Sequence, residues 1–126
     1  PLRRVATLAN ELELPIHMHV HETVAEVRAG LEQFGQRPIE RLRRLNMVTP
    51  ALLGVHMTQL EPAEIELFSR CAAHVVHCPE SNLKLASGTC PVASKLAPAG
   101  INCGIDCSEA YLSGTLVTLA ASSAVR

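Results

Sequence analysis

Four short apolar runs constrain the fold of this chain more than any other feature. They occupy residues 15–19, 51–56, 73–79 and 101–106, and segments with helical signals lie between them. Short apolar strands that alternate with helices are typical of βα units, which form parallel sheets. A (β/α)8 barrel typically needs about 250 residues, whereas this chain has 126. The pattern therefore predicts an α/β protein, either half a barrel or a small open sheet.

The segments between these runs carry helix signals. Apolar residues recur at helical spacing before Gly35, which is a typical helix terminator, and Pro38 and Pro62 each suit the first turn of a helix. Helices are predicted at residues 2–13, 22–35, 37–47, 61–72, 91–100 and 111–126, with a loop at 82–91.

Composition excludes several classes of function. The net charge is −1 and aromatic residues make up 2% of the chain, so no nucleic-acid or charged-membrane partner is expected. No apolar run approaches the roughly 20 residues of a membrane span. The five cysteines form no CxxC pair, which indicates reduced thiols and predicts a cytoplasmic protein. The chain starts at Pro1 without a methionine, so we expect an excerpt from a longer protein.

Polar side chains mark the carboxyl end of each predicted strand. They are His19, His21 and Glu22 at and just after the end of the first run, and His56, His77 and Asp106 toward the ends of the next three. The carboxyl ends of parallel strands meet on one side of the sheet, where active sites are built. Imidazole and carboxylate groups are preferred ligands of zinc and preferred groups for acid–base catalysis. The sequence therefore predicts a site on this side.

A single histidine at a strand end is more often structural than catalytic, and it is the convergence of four strand ends that favours a site. We interpret His17 and His21 as supporting neighbours of His19, on the same face of the first strand. His74 lies at the start of its run and is given no role. No GxSxG elbow, Walker A loop or GxGxxG motif provides a competing site.

Four motifs carry a resemblance to a known family. "LPIHMHVHET", "GVHMTQL", "VVHCPESNLKLASG" and "GINCGID" resemble the second half of a metal-dependent amidohydrolase. The match is to the branch that contains chlorotriazine hydrolases and 5-methylthioadenosine/S-adenosylhomocysteine deaminases, and it favours the adenosine-type deaminases. The resemblance implies a (β/α)8 TIM-like barrel with one catalytic metal. This chain is then a partial barrel, with about strands 5 to 8 and their helices, and residues 1–126 form the second half of the catalytic domain.

The resemblance also implies roles for individual residues. His19 matches a metal-binding histidine, and Glu22 matches the carboxylate that protonates the ring nitrogen of the substrate. His56 matches the histidine that orients the attacking water. Asp106 matches the aspartate that is both a metal ligand and the general base.

Further expectations concern the ligands. His77, Ser81 and Asn82 lie in the loop that faces the substrate in this family. The implied cofactor is one divalent metal, zinc in preference to iron. The implied substrate is an aminopurine nucleoside such as 5-methylthioadenosine or S-adenosylhomocysteine.

Two features differ from the family pattern. The family takes two more metal ligands from an HxH motif on its first barrel strand, and no candidate for that motif remains in this chain. In addition, "GINCGID" is two residues shorter than usual before Asp106, which shortens the reach of the strand by about 6–7 Å.

These differences leave alternatives open. One is an inactive half-barrel that acts, if at all, by association with another chain, because its free strand edges and open interior favour a homo-oligomer. Another is a small open-sheet module that binds metal without a missing half.

Overall fold

The structure, a computed structural model, describes residues 1–105, which form a four-stranded parallel sheet. The strands are β1 (Ile16–Val20), β2 (Leu52–His56), β3 (His74–His77) and β4 (Cys103–Ile105). They lie side by side in the order β1-β2-β3-β4, so each strand pairs with the next one along the chain. The α/β prediction is confirmed, and all four apolar runs contain a strand. Asp106 and the helix predicted at 111–126 lie outside the described residues.

Helices connect these strands. They are α1 (Leu2–Leu12), α2 (Val24–Phe34), α3 (Pro38–Arg44), α4 (Pro62–Arg70) and α5 (Pro79–Lys84), followed by a π-helical turn at Val92–Leu96. Local signals set their ends: the Thr23 hydroxyl accepts the Glu26 N–H at 3.1 Å before α2, and Gly35 ends α2 with φ 67°. Within residues 1–105, no helix has the length and apolar character needed to cross a membrane.

Helix α5 differs from the prediction, which placed a loop at residues 82–91. Pro79 occupies the first position of α5, where its fixed φ and missing N–H favour a helix start. The Glu80 carboxylate then pairs with the Lys84 ammonium at 3.4 Å, one turn later. The many turn residues of this segment hid these two short-range signals.

The two faces of the sheet are covered differently in the described part of the chain. On one face, strand residues such as Leu52 and Val75 join side chains from the helices, including Ile39 and Phe68, in the main core. On the other face, the buried cluster consists of the strand and strand-end residues Val55, Val76 and Cys78, and the partly buried Leu53 of β2 packs against it. Helices on one face are typical of a barrel wall, whereas doubly wound sheets carry helices on both faces.

Candidate active site

Three predicted site residues meet where β1 and β2 end. His19 is the penultimate residue of β1, His56 is the last residue of β2, and Glu22 follows β1 in the next loop. The rings of His19 and His56 meet edge to face, with 5.0 Å between their centroids. The Nε2 atom of His56 lies 3.6 Å from the Oε1 atom of Glu22. The structure therefore places a carboxylate and two imidazoles together at the carboxyl ends of the strands, the side of the sheet where the sequence predicts a site.

An unusual backbone directs His56 into this group. The register pairs His19 with Val55, so regular alternation would turn the next residue, His56, toward the opposite face. Instead, His56 and Met57 both have left-handed φ angles, 74° and 50°. Such strain is uncommon outside glycine and is concentrated at functional sites. Gly54 permits it, because a Cβ atom there would lie 3.0 Å from the Met57 sulfur.

Asn82 links two of the predicted histidines. Its Oδ1 atom lies 2.7 Å from Nδ1 of His56, and its Nδ2 atom lies 3.5 Å from Nδ1 of His77. His77 is half-buried, and burial together with the nearby His56 lowers its pKa. Ser81 is also half-buried on α5, but its hydroxyl makes no hydrogen bond within residues 1–105.

The backbone of Glu22 is held from both sides. The Glu26 carboxylate accepts the N–H groups of His21 and Glu22, at 3.0 and 2.8 Å. The Thr58 hydroxyl donates to the carbonyl of Glu22 at 2.7 Å. The predictions did not include either supporting residue. The spacing of Thr23 and Glu26, which is typical of a capping box, is the signal that could have identified Glu26.

His21 does not share a face with His19, contrary to the interpretation from strand alternation. The strand ends at Val20, and His21 has a left-handed φ of 54° that breaks the alternation. Its ring is fully buried, and its Nε2 atom accepts the Ile39 N–H at 3.3 Å. Burial lowers the pKa of His21, and this effect outweighs the opposite effect of the nearby Glu64 carboxylate. His21 therefore has a structural role, because its ring lies in the protein interior and supports the loop that follows β1.

An Arg37–Glu64 ion pair borders His21. The guanidinium of Arg37 binds both carboxylate oxygens of Glu64, at 2.7 and 2.9 Å, and also donates to the Gln59 carbonyl at 2.6 Å. The Glu64 carboxylate in turn accepts the N–H of Glu61 at the start of α4. This pair connects the start of α3 to α4 and to the chain that follows β2.

The described residues supply the right kinds of metal donor but too few of them. Within residues 1–105, no group of three or more His, Cys, Asp or Glu side chains is arranged to hold a metal ion. His19 has an exposed imidazole at the strand end and suits a zinc ligand. A catalytic zinc site normally has three protein ligands, so His19 can provide one position of a larger set.

Comparison with known proteins gives a consistent family match. The model of the amidohydrolase family matches residues 2–123. A 5-methylthioadenosine/S-adenosylhomocysteine deaminase from Teredinibacter turnerae is 43% identical over 116 residues, which are 92% of this chain and 26% of the relative. One from Saccharophagus degradans is 54% identical over 92 residues, 73% of this chain and 21% of the relative. The chain thus spans about a quarter of these relatives.

Solved structures share the fold. An adenosine deaminase from Xanthomonas campestris with bound zinc has a TM-score of 0.80 and 52% sequence identity, over 82% of this chain and 23% of that protein. An atrazine chlorohydrolase from Arthrobacter aurescens, complexed with zinc, has a TM-score of 0.74 over 79% of this chain and 22% of that protein. Its identity of 20% supports similarity of fold alone.

Proposed function

Because the chain belongs to the amidohydrolase family of metal-dependent hydrolases and deaminases, we propose that it is part of a hydrolytic deaminase. The proposed substrate is an aminopurine nucleoside such as 5-methylthioadenosine or S-adenosylhomocysteine, as the names of the relatives suggest. One observation in the structure carries the proposal: the Glu22 carboxylate lies beside the His56 imidazole at the ends of adjacent strands.

The proposed place of the chain is the second half of the catalytic barrel. Its four parallel strands carry helices on one face, which suits a barrel wall. The chain also spans about a quarter of its relatives, which leaves room for the remaining strands elsewhere in a longer protein. In this proposal residues 1–126 are a fragment that contains about strands 5 to 8.

The proposed cofactor is one divalent metal, with zinc supported by the zinc-containing structural neighbours. His19 and Asp106 would hold it together with ligands from outside this chain. When bound, such a metal makes hydroxide available near neutral pH, because it lowers the pKa of its water to about 7.

The remaining chemistry belongs to side chains of this chain. His56 orients the attacking water, and Asp106 takes its proton. Glu22 carries a proton to the ring nitrogen, and the proton that Asp106 took from the water passes to the exocyclic amine, so that the C–N bond breaks and ammonia leaves. Glu22 suits this role because its backbone is held at both the N–H and the carbonyl. His77, Ser81 and Asn82 form the substrate side of the proposed site, Asn82 as a buried residue that contacts His56 and His77.

A second candidate is an inactive half-barrel that acts through association with another chain. It is favoured by apolar side chains of α1 that are exposed in this structure: 43% for Val5, 45% for Leu8 and 61% for Leu12. A homo-oligomer would cover such surfaces.

The two candidates are separated by counting zinc and measuring ammonia release from 5-methylthioadenosine. Both measurements use the 126-residue chain and the product of the complete reading frame that contains it. We expect the complete protein to retain zinc and release ammonia, and His19→Ala to abolish both. His17→Ala is the matched control, because His17 is an exposed histidine on the same strand.

Other outcomes would contradict specific parts of the proposal. A complete protein that retains zinc but leaves adenosine derivatives intact would overturn the deaminase. Equal behaviour of His17→Ala and His19→Ala would remove His19 from the ligand set. The second candidate would be favoured if the 126-residue chain forms a stable dimer without zinc and the complete protein is inactive.

A further inference from the structure

The side chain of Asn82 lies between two imidazole rings in the interior of the site. It is 1% exposed, and its Oδ1 atom lies 2.7 Å from Nδ1 of His56, which is itself 5% exposed. Its Nδ2 atom lies 3.5 Å from Nδ1 of His77. One amide therefore contacts the same kind of nitrogen in both rings, once with its oxygen and once with its nitrogen.

These contacts determine where the ring protons lie. The oxygen of an amide can only accept a hydrogen bond, so Nδ1 of His56 must carry the proton. A neutral imidazole has one N–H, which leaves Nε2 of His56 with a free lone pair. That Nε2 atom is the one 3.6 Å from the Glu22 carboxylate. The amide nitrogen of Asn82 can only donate, so Nδ1 of His77 accepts and the proton of His77 lies on Nε2.

We propose that Asn82 is a positioning residue that holds His56 in the tautomer protonated on Nδ1, with the Nε2 lone pair presented to the site. This inference rests on the proposed deaminase function and deepens it. His56 can accept a hydrogen bond from the attacking water only if Nε2 is unprotonated. The other tautomer would present an N–H to the water instead. Asn82 acts through His56 in this scheme, which suits a side chain that solvent does not reach.

The backbone around Asn82 supports this role. Its N–H donates to the Cys78 carbonyl at 3.0 Å in the first turn of α5, and its carbonyl accepts the Ser87 N–H at 2.9 Å. Both main-chain groups are thus paired within short-range structure. The amide is therefore presented to His56 from a fixed position.

The tautomer of His56 can be read directly in the 126-residue chain. Long-range ¹H–¹⁵N correlation spectra of chain labelled with ¹⁵N-histidine distinguish Nδ1–H from Nε2–H rings. The spectra are recorded near pH 8, where an ordinary imidazole is neutral. His56→Gln and His77→Gln variants assign the two sets of signals. We expect Nδ1–H for His56 and Nε2–H for His77 in the unmodified chain.

Three substitutions test whether Asn82 determines the tautomer of His56. Asn82→Leu retains the volume but removes both polar atoms, and we expect the Nδ1–H form of His56 to lose its majority. Asn82→Asp keeps an acceptor for His56 but removes the donor to His77, so only His77 should change. Asn10→Leu, at an exposed position of α1, is the matched control and should change neither ring. Circular dichroism confirms that each variant is folded.

The inference is overturned if His56 is protonated on Nε2 in the unmodified chain, or if folded Asn82→Leu leaves its tautomer unchanged. If Asn82→Leu does not fold, Asn82→Asp provides the test instead. A change of the His56 tautomer in Asn82→Asp would also overturn the inference. In the complete protein, Asn82→Leu should lower kcat by about 100-fold with little change in KM, and Asn82→Asp should restore most of it. If the tautomers are as expected but the complete protein has no deaminase activity, the proposed function is rejected and the inference about Asn82 stands.

Discussion

The Thr58 hydroxyl donates a 2.7 Å hydrogen bond to the backbone carbonyl of Glu22, across 36 residues of sequence. The same oxygen lies 3.2 Å from the His21 carbonyl and 3.1 Å from the Ser87 carbonyl. One side chain thus joins the loop after β1 to the chain after β2 and the segment after α5. The position of the proposed acid depends on this junction.

Thr58→Val should lower the free energy of unfolding by about 1–3 kcal/mol, because it preserves shape but leaves the Glu22 carbonyl without its donor. Urea denaturation measures the change. Thr7→Val is the matched control, since the Thr7 hydroxyl bonds a carbonyl on the exposed side of α1, and its effect should stay within about 0.5 kcal/mol. Equal effects of the two variants would show that the Thr58 bond adds no stability.

Arg37→Met should lower the free energy of unfolding by about 3 kcal/mol, because it leaves the buried Glu64 carboxylate without its paired charge. Thermal and urea unfolding both report the change. Arg70→Met removes an exposed pair with Glu66 and should cost less than about 0.5 kcal/mol. A loss for Arg37→Met as small as this control would mean that water replaces the guanidinium at Glu64.

Gly88→Ala should destabilise the chain more than Gly100→Ala. Both glycines have left-handed φ angles, 108° and 73°, so both substitutions carry a backbone penalty of about 1–3 kcal/mol. At Gly88 the added Cβ atom would also lie 3.1 Å from Nε2 of Gln59, which donates to the Ser87 carbonyl. At Gly100 no atom lies within 4 Å of the added Cβ atom. Equal unfolding midpoints for the two variants would contradict a steric cost at Gly88.

Cys90 should resist alkylation in the folded chain, because burial raises its pKa to about 12 and the thiolate is the reactive form. At pH 8 about one thiol in 10⁴ is then ionised. Iodoacetamide labelling with peptide mass spectrometry should modify Cys71, which is partly exposed, well before Cys90. Unfolding in urea should make Cys71 and Cys90 react at the same rate. Because unfolding returns the pKa to about 9, the free energy of unfolding should also fall as the pH rises from 9 toward 12. Rapid labelling of Cys90 in the folded chain would argue against this burial.

Glu22→Gln should reduce ammonia release by the complete protein about 10²–10⁴-fold, because the amide cannot deliver a proton to the ring nitrogen. Initial rates with 5-methylthioadenosine measure the loss. Glu32→Gln removes an exposed carboxylate of α2 and should leave the rate unchanged. A Glu22→Gln enzyme with a normal rate would assign the proton transfer to another group.

Much of the local structure could be predicted from the sequence, because its signals act over a few residues. The apolar runs predicted the strands, and Gly35, Pro38 and Pro62 predicted helix ends that the structure confirms. Motifs around His19 and His56 also identified the family, which the family match confirms. The metal and substrate roles of these residues stay predictions.

The direction of individual side chains was decided by tertiary structure. Strand alternation placed His21 beside His19, but a left-handed φ turns His21 into the interior, where the Ile39 N–H and the Glu64 carboxylate lie next to its ring. A similar change at His56 turns its ring toward the site. One backbone angle reverses a side chain, and a pattern of residue types does not encode that angle.

The sequence by itself determined the four strands and the helices between them apart from α5, the family, and the residue types at the strand ends. Tertiary structure alone decided how those residues are held. The contacts from Asn82 to His56 and from Thr58 to Glu22 span 26 and 36 residues. Such contacts form only when parallel strands bring distant loops to one end of the sheet, so no local pattern predicts their geometry.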